Sequence, residues 1–210
     1  MSRVWLRGAI DFLFPPQCAA CEAIGEGVCS SCVPLDATPH NVDVDCGTPV
    51  IALGEYDGAL RRSVLALKDG RRDVAESLGG RVARVLEAGC TLVPVPTTRA
   101  RLRLRGIDGV ASIAQVAAAI RGGSVHRVLT QRAGDAQRGR SRSQRLAARG
   151  RFACSSTLDG DVVLIDDVCT TGATLRDCRL ALESAGTRVS GAVVVAAAKN
   201  GAPCTPQPNR

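Results

Sequence analysis

Residues 161–198 leave few folds open to this chain. Asp161-Val-Val-Leu-Ile165 is a short apolar run of the buried-strand type, and Asp166 to Thr171 reads as a turn. A helix follows to about Ser184 and closes at Gly186, and a second strand spans about 188–198. Strands that alternate with helices imply a mostly parallel sheet, with ligands at the carboxyl ends of its strands. The length of 210 residues gives room for one such α/β domain and one small attached module.

The rest of the chain supplies the remaining units. Val4, Trp5, Ala9, Phe12 and Leu13 recur at helical spacing over residues 3–14, and Pro15-Pro16 stops them. Residues 34–47 are polar and turn-rich and read as a linker or loop. A strand at Val50 to Leu53 leads to a helix from about Gly58, with Leu60, Val64 and Leu67 on one face. A second helix is expected over about 73–88, a strand in the apolar run Thr91 to Pro96, and a helix over about 108–121 ending at Gly122-Gly123. Val125 to Leu129 reads as a strand, and 130–151 as a long arginine-rich loop. The expected division is a helix and cysteine module over 1–47, the α/β domain over 48–200 and a proline-containing tail over 201–210.

Composition narrows the chemistry. Hydrophobic residues make up 45% of the chain, enough for a packed core, while three Phe, one Tyr and one Trp argue against rows of stacking rings on single-stranded nucleic acid. Two histidines, His40 and His126, nearly exclude chemistry built on several imidazoles. The net charge is +7, and every basic residue except Lys68 and Lys199 is arginine, whose planar fork suits phosphate oxyanions. The N-terminal run is interrupted by Arg7 and Asp11, and no stretch approaches the roughly 18 apolar residues of a membrane span. The expectation is a cytoplasmic protein with reduced thiols, no membrane insertion and anionic partners.

The turn at 166–174 has the chemistry of an anion cradle. Backbone N–H groups of Thr170 through Thr174 can converge on a phosphate at a helix N-terminus, Gly172 permits close approach, and the threonine hydroxyls add donors. Asp166 and Asp167 are out of place beside a phosphate alone, but suit a ligand that also presents hydroxyls or bound Mg²⁺. The run IDDVCTTGATL closely resembles the phosphoribosyl pyrophosphate loop of type I phosphoribosyltransferases. That resemblance implies that Asp166 and Asp167 take the ribose, and that Thr170, Thr171, Gly172, Ala173 and Thr174 take the 5′-phosphate. A second stretch, Leu92 to Gly106, is a strand ending in a loop with Arg99, Arg101, Arg103 and Arg105. By the same resemblance Thr97, Thr98 and Arg99 hold the pyrophosphate. On spacing alone, these alternating arginines equally suit a solvated basic edge.

Ten cysteines need a reason, and four fall as Cys18-x2-Cys21 and Cys29-x2-Cys32. Two such pairs can close four thiolates around one tetrahedral Zn²⁺, joined by a tight loop containing Gly25 and Gly27. Four unligated cysteines or a redox dithiol are the alternatives. Cys169, inside the phosphate loop, reads as a small buried apolar residue rather than a redox sensor.

Zinc module, acidic-pair loop and basic loop together resemble the ComF/GntX-like family of competence-associated, predicted phosphoribosyltransferases. Tyr56-Asp-Gly-Ala-Leu-Arg-Arg, Lys68 with Gly70, and Gln137, Arg145 and Phe152 belong to the same resemblance. It departs after Arg105-Gly106, where the family commonly has Phe-Asn-Gln and this chain has Ile107-Asp108-Gly109. Cys46-Gly47 is at most a remnant of a second cysteine pair. The resemblance implies a type I phosphoribosyltransferase-like α/β fold, its mostly parallel sheet flanked by helices, with a small N-terminal zinc-ribbon-like module. It also implies that the protein binds phosphoribosyl pyrophosphate with Mg²⁺ and transfers ribose 5-phosphate to an unknown acceptor. Arg145 is the expected contact on a 130–151 loop that closes over the donor, although a solvated basic loop or a nucleic-acid contact fits the same arginines. The rival reading is a non-catalytic phosphosugar sensor or single-stranded-DNA-binding scaffold that works with competence proteins. Residues 1–50 are where a hood over the site would come from.

Overall fold

The computed structural model describes residues 15–35, 38–98, 102–103, 106–132 and 150–198. The expected helix over 3–14 and the tail over 201–210 lie outside the described residues. The order of elements is β1 (His40–Asn41), β2 (Val50–Ala52), α1 (Gly58–Lys68), α2 (Arg72–Ala83), β3 (Thr91–Pro94), α3 (Gly109–Arg121), β4 (Ser124–Val125), β5 (Leu129–Gln131), β6 (Phe152–Cys154), β7 (Asp161–Cys169), α4 (Ala173–Ser184) and β8 (Arg188–Ala197).

Six of these strands form one sheet in the order β1-β2-β8-β7-β3-β4. Only the β1–β2 pair is antiparallel; β2, β8, β7, β3 and β4 run parallel. The protein is therefore an α/β fold with a mostly parallel sheet. Its central strands read as continuous apolar runs because both faces are covered. On one face Ile165 and Val193 pack with Val64, Leu78 and Ile113 of α1, α2 and α3. On the other, their neighbours Leu164 and Val194 pack with Leu175, Cys178 and Leu182 of α4 and with Phe152. The alternation along β7 and β8 thus sends successive side chains into two separate cores.

Several boundaries differ from expectation for local reasons. The strand expected over 125–129 is two short strands in two sheets: β4 lies beside β3, and β5 pairs with β6 in a separate antiparallel ribbon. The 34–47 linker contains β1, which is drawn into the sheet edge by pairing His40 with Ala52 and Asn41 with Ile51. The second helix ends at Ala83 rather than 88, where the N–H groups of Arg84, Val85 and Leu86 turn back to carbonyls three residues earlier. The first four residues of the turn expected from Asp166 to Thr171 are instead the last four of β7, because β8 continues alongside them to the pair Cys169–Ala197.

Candidate functional site

Parallel strands bring their carboxyl ends to one edge, and the acidic pair, the 170–174 loop and Thr97 and Thr98 lie at that edge. β3 and β7 are neighbours in register from Thr91–Val162 to Pro94–Ile165, and Val95 N donates to Ile165 O at 2.9 Å. The exit of β3 (Val95 to Thr98) and the acidic pair of β7 therefore leave the sheet side by side.

The two aspartates sit in different surroundings. Asp166 is 8% exposed, and its Oδ1 accepts from Asp167 N at 2.8 Å. Burial first, then the charge of Asp167, push the Asp166 carboxyl up to about 8. Asp167 is better exposed and pairs through Oδ2 with Lys68 Nζ at 3.4 Å, from the last turn of α1. Neither aspartate is arranged as an open cage for a hard cation: one carboxyl is buried, and the other is tied to an ammonium.

The loop that follows is built to leave a helix end open. Thr170 and Thr171 are exposed, Gly172 is the N-cap of α4 at φ 73°, and α4 has neither a side-chain cap nor an acidic residue in its first turn. Thr171 Oγ1 accepts from Ala173 N at 3.4 Å. Arg151 donates from Nη2 to Thr174 Oγ1 at 3.3 Å and from Nε to Asp177 Oδ2 at 2.8 Å. The guanidinium beside the first turn of α4 is thus balanced by Asp177 one turn further on, and the first turn itself carries no acidic residue.

Thr97 and Thr98 line a cleft of about 720 Å³ together with Asp108, Arg127, Gln131 and Arg132. Asp108 caps α3, its Oδ1 accepting from Ala111 N at 3.3 Å and from Thr97 Oγ1 at 3.3 Å, while Oδ2 pairs with Arg127. Asp166, Asp167 and the 170–174 loop do not line this cleft. Arg99 and Arg145, named in the sequence, lie outside the described residues. Lys68 was visible only through the family resemblance, and Arg127 and Asp108 carried no motif. Each becomes relevant through a partner at least 19 residues away, which no local pattern reveals.

The cysteine cluster forms a second centre. The Sγ atoms of Cys18, Cys21, Cys29 and Cys32 all lie within 4.8 Å of one another, and those of Cys21 and Cys29 are 3.6 Å apart. Zn–S bonds near 2.3 Å require sulfur–sulfur edges of about 3.8 Å in a tetrahedron. The donor set and spacing fit a structural zinc. Burial acts to raise the Cys18 thiol, but N–H groups from Cys29, Ala20 and Cys21 bring it down to about 6. The Cys32 thiol is pushed up to about 12 by S–H sharing with Cys21, then by burial and the remaining sulfurs. Crowded thiolates repel, and a divalent cation removes that repulsion.

The module docks on α2. A Cβ at Gly27 would stand 2.3 Å from the Asp73 carbonyl carbon, so only glycine allows this approach. Arg81, 4% exposed, donates to Val33 O at 2.8 Å, Val28 O at 2.9 Å and Ser77 O at 2.8 Å. Its buried guanidinium carries the charge that a four-thiolate zinc needs nearby. Cys169 is 3% exposed and burial raises its thiol, as expected of a small core residue.

No protein-family model matches the chain, and no curated protein matches it. Among the described residues no helix is long and apolar enough to cross a membrane.

Proposed function

We propose that this protein is a phosphoribosyltransferase-like member of the ComF/GntX-like family, which binds phosphoribosyl pyrophosphate with Mg²⁺ and transfers ribose 5-phosphate to an acceptor. The observation that carries this reading is the junction of β7 and α4, where two aspartates stand directly before a helix start that has glycine as its N-cap and no acidic residue in its first turn. Hydroxyls and a phosphate on one small ligand suit the two halves. Asp166 and Asp167 accept from the ribose hydroxyls, and the N–H groups and hydroxyls of Thr170, Thr171, Gly172, Ala173 and Thr174 hold the 5′-phosphate. The neighbouring exit of β3, with Thr97, Thr98 and Arg99, takes the pyrophosphate. Mg²⁺ arrives as part of the donor.

In the reaction, the bond from the anomeric carbon to the pyrophosphate oxygen breaks and its electron pair leaves with pyrophosphate. The acceptor's lone pair forms the new bond to that carbon. The protein's part is positioning both ends of the donor and stabilising charge on the leaving group.

The test is thermal unfolding of the zinc-loaded protein with phosphoribosyl pyrophosphate and Mg²⁺, against pyrophosphate–Mg²⁺ and ribose 5-phosphate. Donor at about 100 times its Kd stabilises by roughly 2.7 kcal/mol, a rise in Tm of about 5–10 °C for a chain of this size. The folded Asp166→Asn, Asp167→Asn double variant loses that rise. An unchanged shift in the double variant removes the assignment of the acidic pair. No shift in the folded wild type directs attention to the DNA-binding scaffold reading.

A further inference from the structure

The last residue of α1 is a cation that reaches the acidic pair. Lys68 Nζ stands 3.4 Å from Asp167 Oδ2, with side chains 32% and 19% exposed. The turn that carries it is anchored. Leu67 is buried, and a Cβ at Gly109 would stand 2.7 Å from Leu67 Cγ, so the start of α3 closes directly on the end of α1. Gly70 N and Arg71 N donate to Leu67 O and Ala66 O at 3.1 and 3.2 Å and finish the helix. The negative end of the α1 dipole lies beside the ammonium and favours it there.

Lys68 acts on both aspartates. It pairs directly with Asp167, and its charge draws the Asp166 carboxyl down against burial and the charge of Asp167. A neighbouring pair of carboxylates is an ordinary donor set for Mg²⁺, but here the pair already has its positive charge. A metal ion at Asp167 would share that carboxylate with the ammonium, and like charges at such distances repel. A neutral hydroxyl meets no such obstacle. A carboxylate accepts and an ammonium donates, so together they match the donor and acceptor halves of one sugar hydroxyl.

We propose that Lys68 is the resident cation of the acidic pair and a specificity-determining residue for the ribose end of the donor. With Asp167 it holds a sugar hydroxyl, and the donor's Mg²⁺ makes no bond to either aspartate. The inference rests on the functional reading above and narrows it: the ribose end binds without metal.

Calorimetric titration of the full zinc-loaded chain with ribose 5-phosphate, with and without added Mg²⁺, tests it. Inorganic phosphate in the same two buffers gives the effect of Mg²⁺ on the phosphate alone. In the wild type, Mg²⁺ changes the Kd for ribose 5-phosphate no more than that for phosphate. Lys68→Met weakens ribose 5-phosphate by about tenfold without Mg²⁺ and leaves phosphate within about twofold. It also makes sugar-phosphate binding Mg²⁺-dependent, because the carboxylates it frees now take the metal. Lys68→Arg restores the charge and keeps binding independent of Mg²⁺. In the Asp167→Asn background, Lys68→Met costs no more than about twofold, since its partner is gone. Lys68→Gln replaces the methionine variant if that protein does not fold. Loss of structure at the end of α1 would weaken both probes and create no metal dependence. The inference is overturned by a wild type that gains ribose 5-phosphate affinity with Mg²⁺ beyond the phosphate control. It is equally overturned if Lys68→Met keeps wild-type affinity, loses both probes alike or acquires no Mg²⁺ dependence, or if Lys68→Arg behaves like Lys68→Met. Each of these results spares the acidic-pair reading, whereas a wild type that does not bind ribose 5-phosphate overturns both.

Discussion

Gly172 joins two constraints at one position. Its φ of 73° is left-handed, and a Cβ there would stand 3.0 Å from Val44 Cβ and 3.2 Å from Cys46 Cβ. Residues 42–47 thus support the 170–174 loop from behind, held in turn by Arg179 Nε donating to Cys46 O at 2.9 Å. Gly172→Ala is expected to cost about 1–2 kcal/mol from backbone strain alone, lowering Tm by roughly 2–8 °C in a melting experiment. Asp166 sets a pH dependence whose sign is definite. Its carboxyl titrates near 8 in the folded protein and at about 3.9 when unfolded, so between these values only the folded state holds the proton. Its contribution to stability is complete below the unfolded value and is lost as pH rises to about 8. Chemical denaturation of the wild type at pH 5 and pH 8.5, against Asp166→Asn, should show a decline that the variant lacks.

Among the elements, α2 carries the heaviest structural duty, because one helix both covers the sheet and seats the cysteine module. Val28 and Val33 of the module belong to the same core as Val74, Leu78 and Val82 of α2. Arg81→Met would leave the Val28 and Val33 carbonyls buried without a donor, costing on the order of 2–4 kcal/mol. It should also speed zinc release to a chromogenic chelator. Chelation in the wild type should release one zinc per chain and open residues 15–35 to proteolysis, while hydrogen exchange in β7 and β8 stays slow. Simultaneous loss of protection in the sheet would show that the module and sheet unfold as one unit.

For the whole molecule, the decisive feature is a parallel sheet buried between helical layers. Leu164, fully buried at the centre of β7, faces α4 while Ile165 faces α1 to α3. Leu164→Ala is expected to lose about 2–5 kcal/mol, read as a lower urea midpoint with an unchanged m-value. The same sandwich holds the carboxyl edge rigid, with β7 clamped between β3 and β8. The geometry of that edge therefore depends on core packing as well as on the residues that lie along it.

Local pattern was enough for the α/β class, for α1, α3, α4 and β8, and for the four-cysteine cluster. Apolar periodicity, caps and CxxC spacing act over a few residues and do not wait for the fold. The acidic pair and the threonine–glycine turn were legible for the same reason, although β7 runs through the aspartates because β8 pairs with them from across the sheet. Tertiary structure alone decided the rest. It divided 124–131 between two sheets, buried Asp166 while leaving Asp167 to Lys68, and set residues 42–47 under Gly172. It also brought Asp108, Thr97 and Arg127 together at one cleft. These are contacts between residues far apart in the chain. Their energies depend on burial and on partners' charges, which exist only once the sheet has closed.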